Sequence, residues 1–153
     1  MWVIAGLLVG ALVFASGSAL MSRYLNSQEI GTARSNFGWL TTTAEKMCRA
    51  GTFSQETREL ILPQVTERIT VEDDDKIEGA GKNICIYIRN IDSPQCYKVE
   101  TCTLKMNSFI LDSKQTAHNL LERITGRGRP AKVDFSVSKP EFNKIEIKWE
   151  QKP

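Results

Sequence analysis

The first 21 residues of the chain, MWVIAGLLVGALVFASGSALM, contain no charged side chain. A helix of about 20 apolar residues is long enough to cross the roughly 30 Å hydrocarbon layer of a bilayer. Every acidic or basic side chain lies at Arg23 or later, so residues 1–21 occupy different surroundings from the remainder. The run predicts a transmembrane helix or a helix in the packed core of a filament, and it excludes a freely soluble protein.

Three glycines of this run, Gly6, Gly10 and Gly17, fall on one face of the predicted helix. The first two form a GxxxG pair, which lets a second helix approach closely. We therefore expect helix-on-helix assembly along this face, while noting that glycine is frequent in membrane spans generally. A cleaved secretory signal is the competing interpretation, with a small-residue site at 17–19, but the basic n-region of such signals is missing.

Four cysteines follow the apolar run: Cys48, Cys85, Cys96 and Cys102. They form no CxxC pair, and the chain has a single histidine, so neither a zinc site nor a thioredoxin-type redox pair has its usual spacing. An even number of cysteines behind an export-like segment favours disulfides. The pairing stays open: Cys85 could lie opposite Cys102 in a hairpin, or Cys96 or Cys102 could join Cys48.

Orientation in the membrane is a separate question. Basic residues follow the span and none precedes it, which by the positive-inside bias places the C-terminal part in the cytoplasm. That placement conflicts with disulfides. The two agree if Met1 is the residue left after removal of a basic leader that set the orientation, and the domain is then expected to face outward.

Residues 22–51 predict an amphipathic extension of the same helix. Apolar residues recur there at spacings of three and four, which places them on one face; they are Ile30, Ala33, Phe37, Leu40, Ala44 and Met47. We expect this face to pack against a folded domain, as an ordinary core helix does, because the pattern is too short to establish a coiled coil. Residues 2–49 then form one helix of about 70 Å, bent near Gly31 or Gly38 and stopped at Gly51.

Residues 52–153 predict a β-rich globular domain. Strand-like segments lie at 57–62, 66–71, 83–91 and 96–106, and two alternating strands around Val133–Val137 and Ile145–Trp149 flank a turn at Lys139-Pro140. Asp112 is a candidate cap for a helix that ends at Gly126. The predicted class is α+β: a long N-terminal helix followed by a mostly antiparallel β-domain that carries one helix.

Enzymatic chemistry is not indicated. The chain lacks the GxSxG, P-loop, GxGxxG and HExxH motifs, and a nucleophile pair would depend on His118 alone.

The acidic run Glu72–Asp75 with Glu78 offers ligands suited to calcium but lacks EF-hand spacing, so we interpret it as a solvated turn. A basic loop at Arg123, Arg127 and Arg129 lacks interleaved aromatic residues and predicts an exposed connection. We expect no cofactor, metal or nucleic acid.

An apolar N-terminal helix, its amphipathic continuation and a disulfide-containing β-domain resemble the type IV pilin architecture. The stretch AEKMCRAGTFSQETRELILPQV, residues 44–65, also resembles the archaeal class III signal-peptide pilins, in which a helix ending in a small-residue turn is followed by a strand and a proline. Ala5 stands where bacterial pilins usually carry a glutamate, which leaves apolar packing to hold subunits together. The resemblance implies leader removal, bundling of the helices at a filament axis and β-domains that coat its surface.

The function expected from these features is a structural subunit of an extracellular type IV pilus-like filament, a homopolymer anchored in the membrane before assembly. Its β-domain is expected to be exposed for adhesion to a ligand that the sequence does not identify. The alternative is a single-pass membrane protein whose β-domain binds a partner within a larger complex, where the GxxxG face would serve equally well.

Overall fold

The computed structural model describes residues 2–75, 77–111 and 130–152. These residues contain one helix, α1 (Trp2–Arg49), and nine strands. The strands are β1 (Gln55–Leu62), β2 (Thr66–Glu72), β3 (Ala80–Gly81), β4 (Asn83–Ile88), β5 (Gln95–Lys98), β6 (Thr103–Met106), β7 (Phe109–Ile110), β8 (Ala131–Glu141) and β9 (Lys144–Gln151). The α+β class is confirmed. The helix expected after Asp112, His118 and the basic loop at 123–129 lie outside the described residues.

Helix α1 runs for 48 residues without interruption. No proline occurs in this range, and its glycines are isolated among good helix formers, so the hydrogen-bond ladder is continuous. Lys46 and Arg49 lie in the last turn, where positive charge is favoured by the helix dipole. The helix ends where the Ala50 amide donates to the carbonyls of Lys46 and Met47, each at 3.1 Å.

The strands form two sheets. The five-stranded sheet has the order β1-β8-β9-β6-β3, and the four-stranded sheet has the order β5-β4-β2-β7. Neighbouring strands are antiparallel, except that β6 and β9 are parallel, with Leu104 beside Ile145. The predicted pair of alternating strands near the C-terminus is present as β8 and β9, in register at Phe135 and Trp149.

One hydrophobic core joins the helix to both sheets. Ala33, Leu40 and Ala44 of α1 are fully buried in it, beside strand residues such as Val133. Phe109 of the smaller sheet packs edge-on against Phe135 of the larger one, with ring centroids 5.9 Å apart. The C-terminal half of α1 is therefore part of the domain core.

Two predictions about strand boundaries are wrong. The segment 96–106 is two strands in different sheets, because the chain turns at 99–102 and the Val99 amide donates to the Lys82 carbonyl at 2.8 Å. The turn expected at Lys139-Pro140 lies instead at Phe142-Asn143, where Asn143 adopts a φ of 60° that asparagine tolerates. Pro140 stays within β8 because the pairing register shifts between Ser138 and Glu141.

The cysteines pair as Cys48–Cys102 and Cys85–Cys96. The pairing of Cys85 with Cys102 is wrong, because β5 ends at Lys98 and its register places Cys96 opposite Cys85. Cys102 lies beyond that strand and reaches the helix instead, as one of the open alternatives allowed. One disulfide therefore closes a local hairpin, while the other ties the end of α1 to the domain.

Candidate assembly interface

The N-terminal half of α1 projects free of the domain. Large apolar side chains all around this part of the helix are between 61% and 79% exposed; they are Leu7, Leu8, Val9, Leu12, Val13, Phe14, Leu20, Met21 and Tyr24. This is the one helix among the described residues with the length and composition to span a membrane, and none of the qualifying window is buried by the rest of the molecule. So large an exposed apolar surface requires a lipid or protein partner.

Glycines mark one line along the whole helix. At 100° per residue Gly6, Gly10 and Gly17 lie within about 40° of a common direction, and Gly31 and Gly38 fall on the same line. A Cβ added at any of these five positions would meet nothing within 4 Å. The buried residues of the C-terminal half of α1, such as Leu40, lie on the opposite side of the helix. We call these five residues the glycine stripe, which faces away from the domain over about 48 Å.

The C-terminal half of α1 runs antiparallel to β1 and contacts it at three positions along the helix. The Asn36 side chain donates to the Ile61 carbonyl at 2.6 Å, and Lys46 pairs with Glu56 at 2.9 Å. Between them the Arg58 guanidinium lies 5.6 Å from the centroid of the Trp39 ring. These contacts fix the direction of the helix relative to the larger sheet.

The other sheet is attached to the same part of the helix. The Tyr97 hydroxyl of β5 donates to Glu45 at 2.6 Å, and this hydrogen bond raises the pKa of the Tyr97 hydroxyl above its usual value. The Cys48–Cys102 disulfide lies one turn further on and is buried. Both sheets therefore constrain the last two turns of α1.

Lys139 caps the end of the helix. It is only 4% exposed, and its ammonium donates to the carbonyls of Cys48 and Ala50, each at 2.7 Å. A positive charge at a helix C-terminus satisfies carbonyls that have no partner within the helix. No carboxylate pairs with Lys139 among the residues that the structure describes.

A groove of about 290 Å³ lies where the free half of α1 meets the domain. We call it the junction groove. Eight residues line it: Leu25, Gln28, Glu29 and Thr32 of the helix and Ile61, Pro63, Gln64 and Pro130 of the domain. Glu29 has no ion-pair partner among the described residues. The groove thus has a largely apolar wall with some polar side chains, and its one carboxylate pairs with no cation in the part of the chain that the structure describes.

The side chains of the acidic run form hydrogen bonds within the domain. The Asp73 carboxylate accepts from the amides of Asp75 and Ile77, and the Asp74 carboxylate accepts from Asn83. That hydrogen bond, with the nearby charge of Lys98, lowers the pKa of Asp74. Within the part of the chain that the structure describes, no three histidine, cysteine, aspartate or glutamate residues are grouped to hold a metal ion. Asp74 and Asp75 form an exposed turn, as expected, whereas Glu72 is buried at the end of β2 and accepts from the Tyr87 hydroxyl at 2.8 Å.

The residues singled out from the sequence thus divide into two sets. Gly6, Gly10 and Gly17 lie on the free half of α1, whereas Ala33, Phe37, Leu40, Ala44 and Met47 are buried inside the domain and Ile30 packs at its margin. Sequence reasoning treated Gly31 and Gly38 as bends and did not find that they continue the stripe, although the same helical angle would have shown it. Nothing in the sequence pointed to Lys139, because its carbonyl partners lie about 90 residues away.

Comparisons of the chain with protein-family models, with curated proteins and with solved structures found no match. The apolar N-terminal helix is of the kind found in membrane anchors and signal sequences. The two disulfides indicate an oxidising environment outside the cytoplasm.

Proposed function

We propose that this protein is a structural subunit of an extracellular type IV pilus-like filament. The free half of α1 packs against the same helix of identical subunits, and the β-domain is displayed on the outside for adhesion. Before assembly the same helix holds the subunit in the membrane. The observation that carries the proposal is the continuity of α1 from an apolar, exposed half into the domain core.

Rigidity distinguishes this arrangement from an ordinary anchor. A single-pass anchor needs about 20 residues, and a flexible linker behind it is sufficient. Here the helix passes into the domain without a linker and is tied there by the Cys48–Cys102 disulfide and the Lys139 cap. A helical polymer requires such a fixed angle, because every copy must present the same surfaces to its neighbours.

The glycine stripe supports close packing of helices. Small residues let two helix backbones approach, and the stripe continues past the apolar run to Gly31 and Gly38. Since it faces away from the domain, helices can bundle along it while the domains remain on the outside. A helix that only spanned a bilayer would have no use for this face beyond residue 24.

The proposal predicts helical polymers and no enzymatic turnover. The full chain should be produced in membranes, extracted in detergent and imaged by cryo-electron microscopy after the detergent is removed. We expect filaments with helical order and with α1 at the axis. Monodisperse particles of fixed stoichiometry that contain a second kind of chain would instead support the alternative, a membrane protein whose domain binds a partner.

Matched leucine substitutions test which face assembles. Gly10→Leu places a side chain on the glycine stripe, whereas Ala15→Leu adds the same side chain on the opposite face, where residues are also exposed. We expect Gly10→Leu to abolish or shorten filaments and Ala15→Leu to have the smaller effect, because the stripe permits the closest helix contact. Normal filaments from Gly10→Leu would argue against assembly through the stripe.

A further inference from the structure

Two exposed phenylalanines stand at the end of the domain where α1 stops. Phe53 is 87% exposed and Phe142 is 79% exposed, which makes them the most exposed large apolar side chains of the described part of the domain. Both contact Lys139. The Phe53 amide donates to the Lys139 carbonyl at 2.8 Å, and the Phe142 ring centroid lies 5.7 Å from the Lys139 ammonium. We call this pair the terminal knob.

The backbone at Phe53 is in a costly conformation. Its φ is 67°, in the left-handed region that bulky residues rarely adopt and that glycine adopts freely. Hydrogen bonds from the Phe53 amide to Lys139 and from the Lys139 amide to Ser54 hold it there. Glycine would relieve this strain, and an exposed ring adds nothing to the domain's own core. Folding therefore does not account for a phenylalanine here, and contact with another molecule would.

The junction groove has the dimensions and chemistry to receive the terminal knob. An apolar cavity of about 150 Å³ accommodates one benzene ring, and the groove measures about 290 Å³. Its walls include the apolar side chains of Leu25, Ile61 and Pro63. The charges also favour this contact over a longer distance, because the Glu29 carboxylate lines the groove, the Lys139 ammonium lies behind the knob, and neither pairs with an opposite charge among the described residues. The Lys139 ammonium is buried and donates to Cys48 and Ala50, so it attracts Glu29 without forming a direct ion pair.

The knob and the groove lie at opposite ends of one rigid body. The groove is at the level of residues 25–32 of α1 and the knob follows its last residue, so about 30 Å separates them along the helix axis. A copy cannot fill its own groove across that distance. The bilayer that holds its own helix is also out of reach, since the knob lies about 40 Å beyond the uncharged run.

We propose that the terminal knob of one copy inserts into the junction groove of a second copy. The inference rests on the proposed filament and names a second contact within it, made by the domains instead of the helix bundle. Such a head-to-tail contact joins two different surfaces, so it propagates into an open polymer when the rotation does not close a ring. It orders the domains along the filament while the glycine stripe packs the helices.

Photo-crosslinking in assembled full-length protein tests the contact. Phe53 is replaced by p-benzoylphenylalanine, the filaments are irradiated, and the crosslinked peptides are identified by mass spectrometry. We expect dimers in which position 53 is joined to peptides spanning 25–32 or 61–64 of another copy. The same replacement at Ile77 or Ile110, both 64% exposed and apolar, is the control and should give no product with these peptides.

The outcomes separate this contact from the filament itself. Filaments whose crosslinks from position 53 are absent or map elsewhere overturn the knob-and-groove contact and leave the proposed function standing. Wild-type protein that forms no polymer overturns both. Crosslinks to the groove support both.

The Phe53→Gly variant gives a second readout that a purely structural residue would not produce. The critical concentration for assembly should rise by at least about tenfold, because a buried ring is lost from the contact. The midpoint of domain unfolding should stay the same or increase, since strain is relieved. Ile77→Ala should change neither quantity. Unchanged assembly, or a lower unfolding midpoint, would contradict the proposal.

Discussion

The two halves of α1 share one backbone and one helical ladder, yet they have opposite surroundings. Leu12 in the first half is 70% exposed, whereas Leu40 in the second half is completely buried. The first half has apolar side chains on every side and no charge before Arg23, and the second has a single apolar face between charged residues. The comparison shows that side-chain pattern, and not helix formation, decides which part of a continuous helix belongs to the domain and which part remains for a partner.

The largest expected loss of stability comes from removing the disulfide that ties the second half of α1 to the domain. The Cys48–Cys102 disulfide closes a loop with a sequence separation of 54, so its removal by Cys48→Ala with Cys102→Ala should lower the free energy of unfolding by about 4 kcal/mol. Denaturant titration of the full chain in detergent measures this loss. Hydrogen exchange should accelerate at the end of α1 and remain slow in the apolar half.

The second disulfide is the matched control. Cys85 and Cys96 are separated by 11 residues, so Cys85→Ala with Cys96→Ala should cost about 3 kcal/mol and should leave exchange at the end of α1 unchanged. Equal acceleration of α1 in both double variants would mean that the helix is not held to the domain specifically by Cys48.

Substitution of one leucine in each half compares directly how much the two halves contribute to domain stability. Leu40→Ala should lower the free energy of unfolding by about 3 kcal/mol, because it leaves a cavity in the core. Leu12→Ala removes the same atoms from an exposed position and should change domain stability by less than about 0.5 kcal/mol. If the first half assembles as proposed, Leu12→Ala should instead raise the critical concentration for filaments. Comparable losses of domain stability would break the distinction between the halves.

The next effect concerns the cap that ends the docked half. Lys139→Met keeps the length of the buried side chain but removes the ammonium that donates to Cys48 and Ala50. Buried carbonyls without a donor are costly, so we expect a loss of about 2 kcal/mol in a denaturant titration. Hydrogen exchange should increase in the last turn of α1. Stability equal to that of the wild type would show that water replaces the ammonium at this end.

Local patterns predicted much of this architecture. The uncharged run and the spacing from Ile30 to Met47 predicted one helix over 2–49, and alternation predicted β8 and β9. These features depend on neighbours in the chain, so the order of residues reveals them. Asn143 is the local signal for the β8–β9 turn, since asparagine tolerates a positive φ, whereas Pro140 is accommodated inside the strand.

The remainder depends on distant partners. The parallel pairing of β6 with β9 joins residues about 40 positions apart, and no local pattern encodes it. The same is true of Lys139 and the end of α1, and of the choice between Cys96 and Cys102 as the partner of Cys48. The candidate interface was predicted in part: the sequence showed Gly6, Gly10 and Gly17, while the side of α1 that faces the domain had to be known before Gly31 and Gly38 could be added.

The smallest effect lies at the boundary between the two halves, where Gly31 separates stability from assembly. A Cβ at this position meets nothing within 4 Å in the single subunit, and alanine favours a helix interior over glycine by about 1 kcal/mol. Gly31→Ala should therefore raise the free energy of unfolding by up to about 1 kcal/mol in detergent. It should also weaken assembly, because the added methyl keeps two helices apart along the glycine stripe. Both quantities should be measured on the same preparation. The subunit should become more stable while assembly becomes weaker, which is seen as a higher critical concentration for filaments. A residue that contributes to folding alone would not show this combination. If Gly31→Ala stabilised the subunit and left assembly unchanged, helix packing would be confined to the apolar half, and the stripe beyond residue 24 would have no part in the filament.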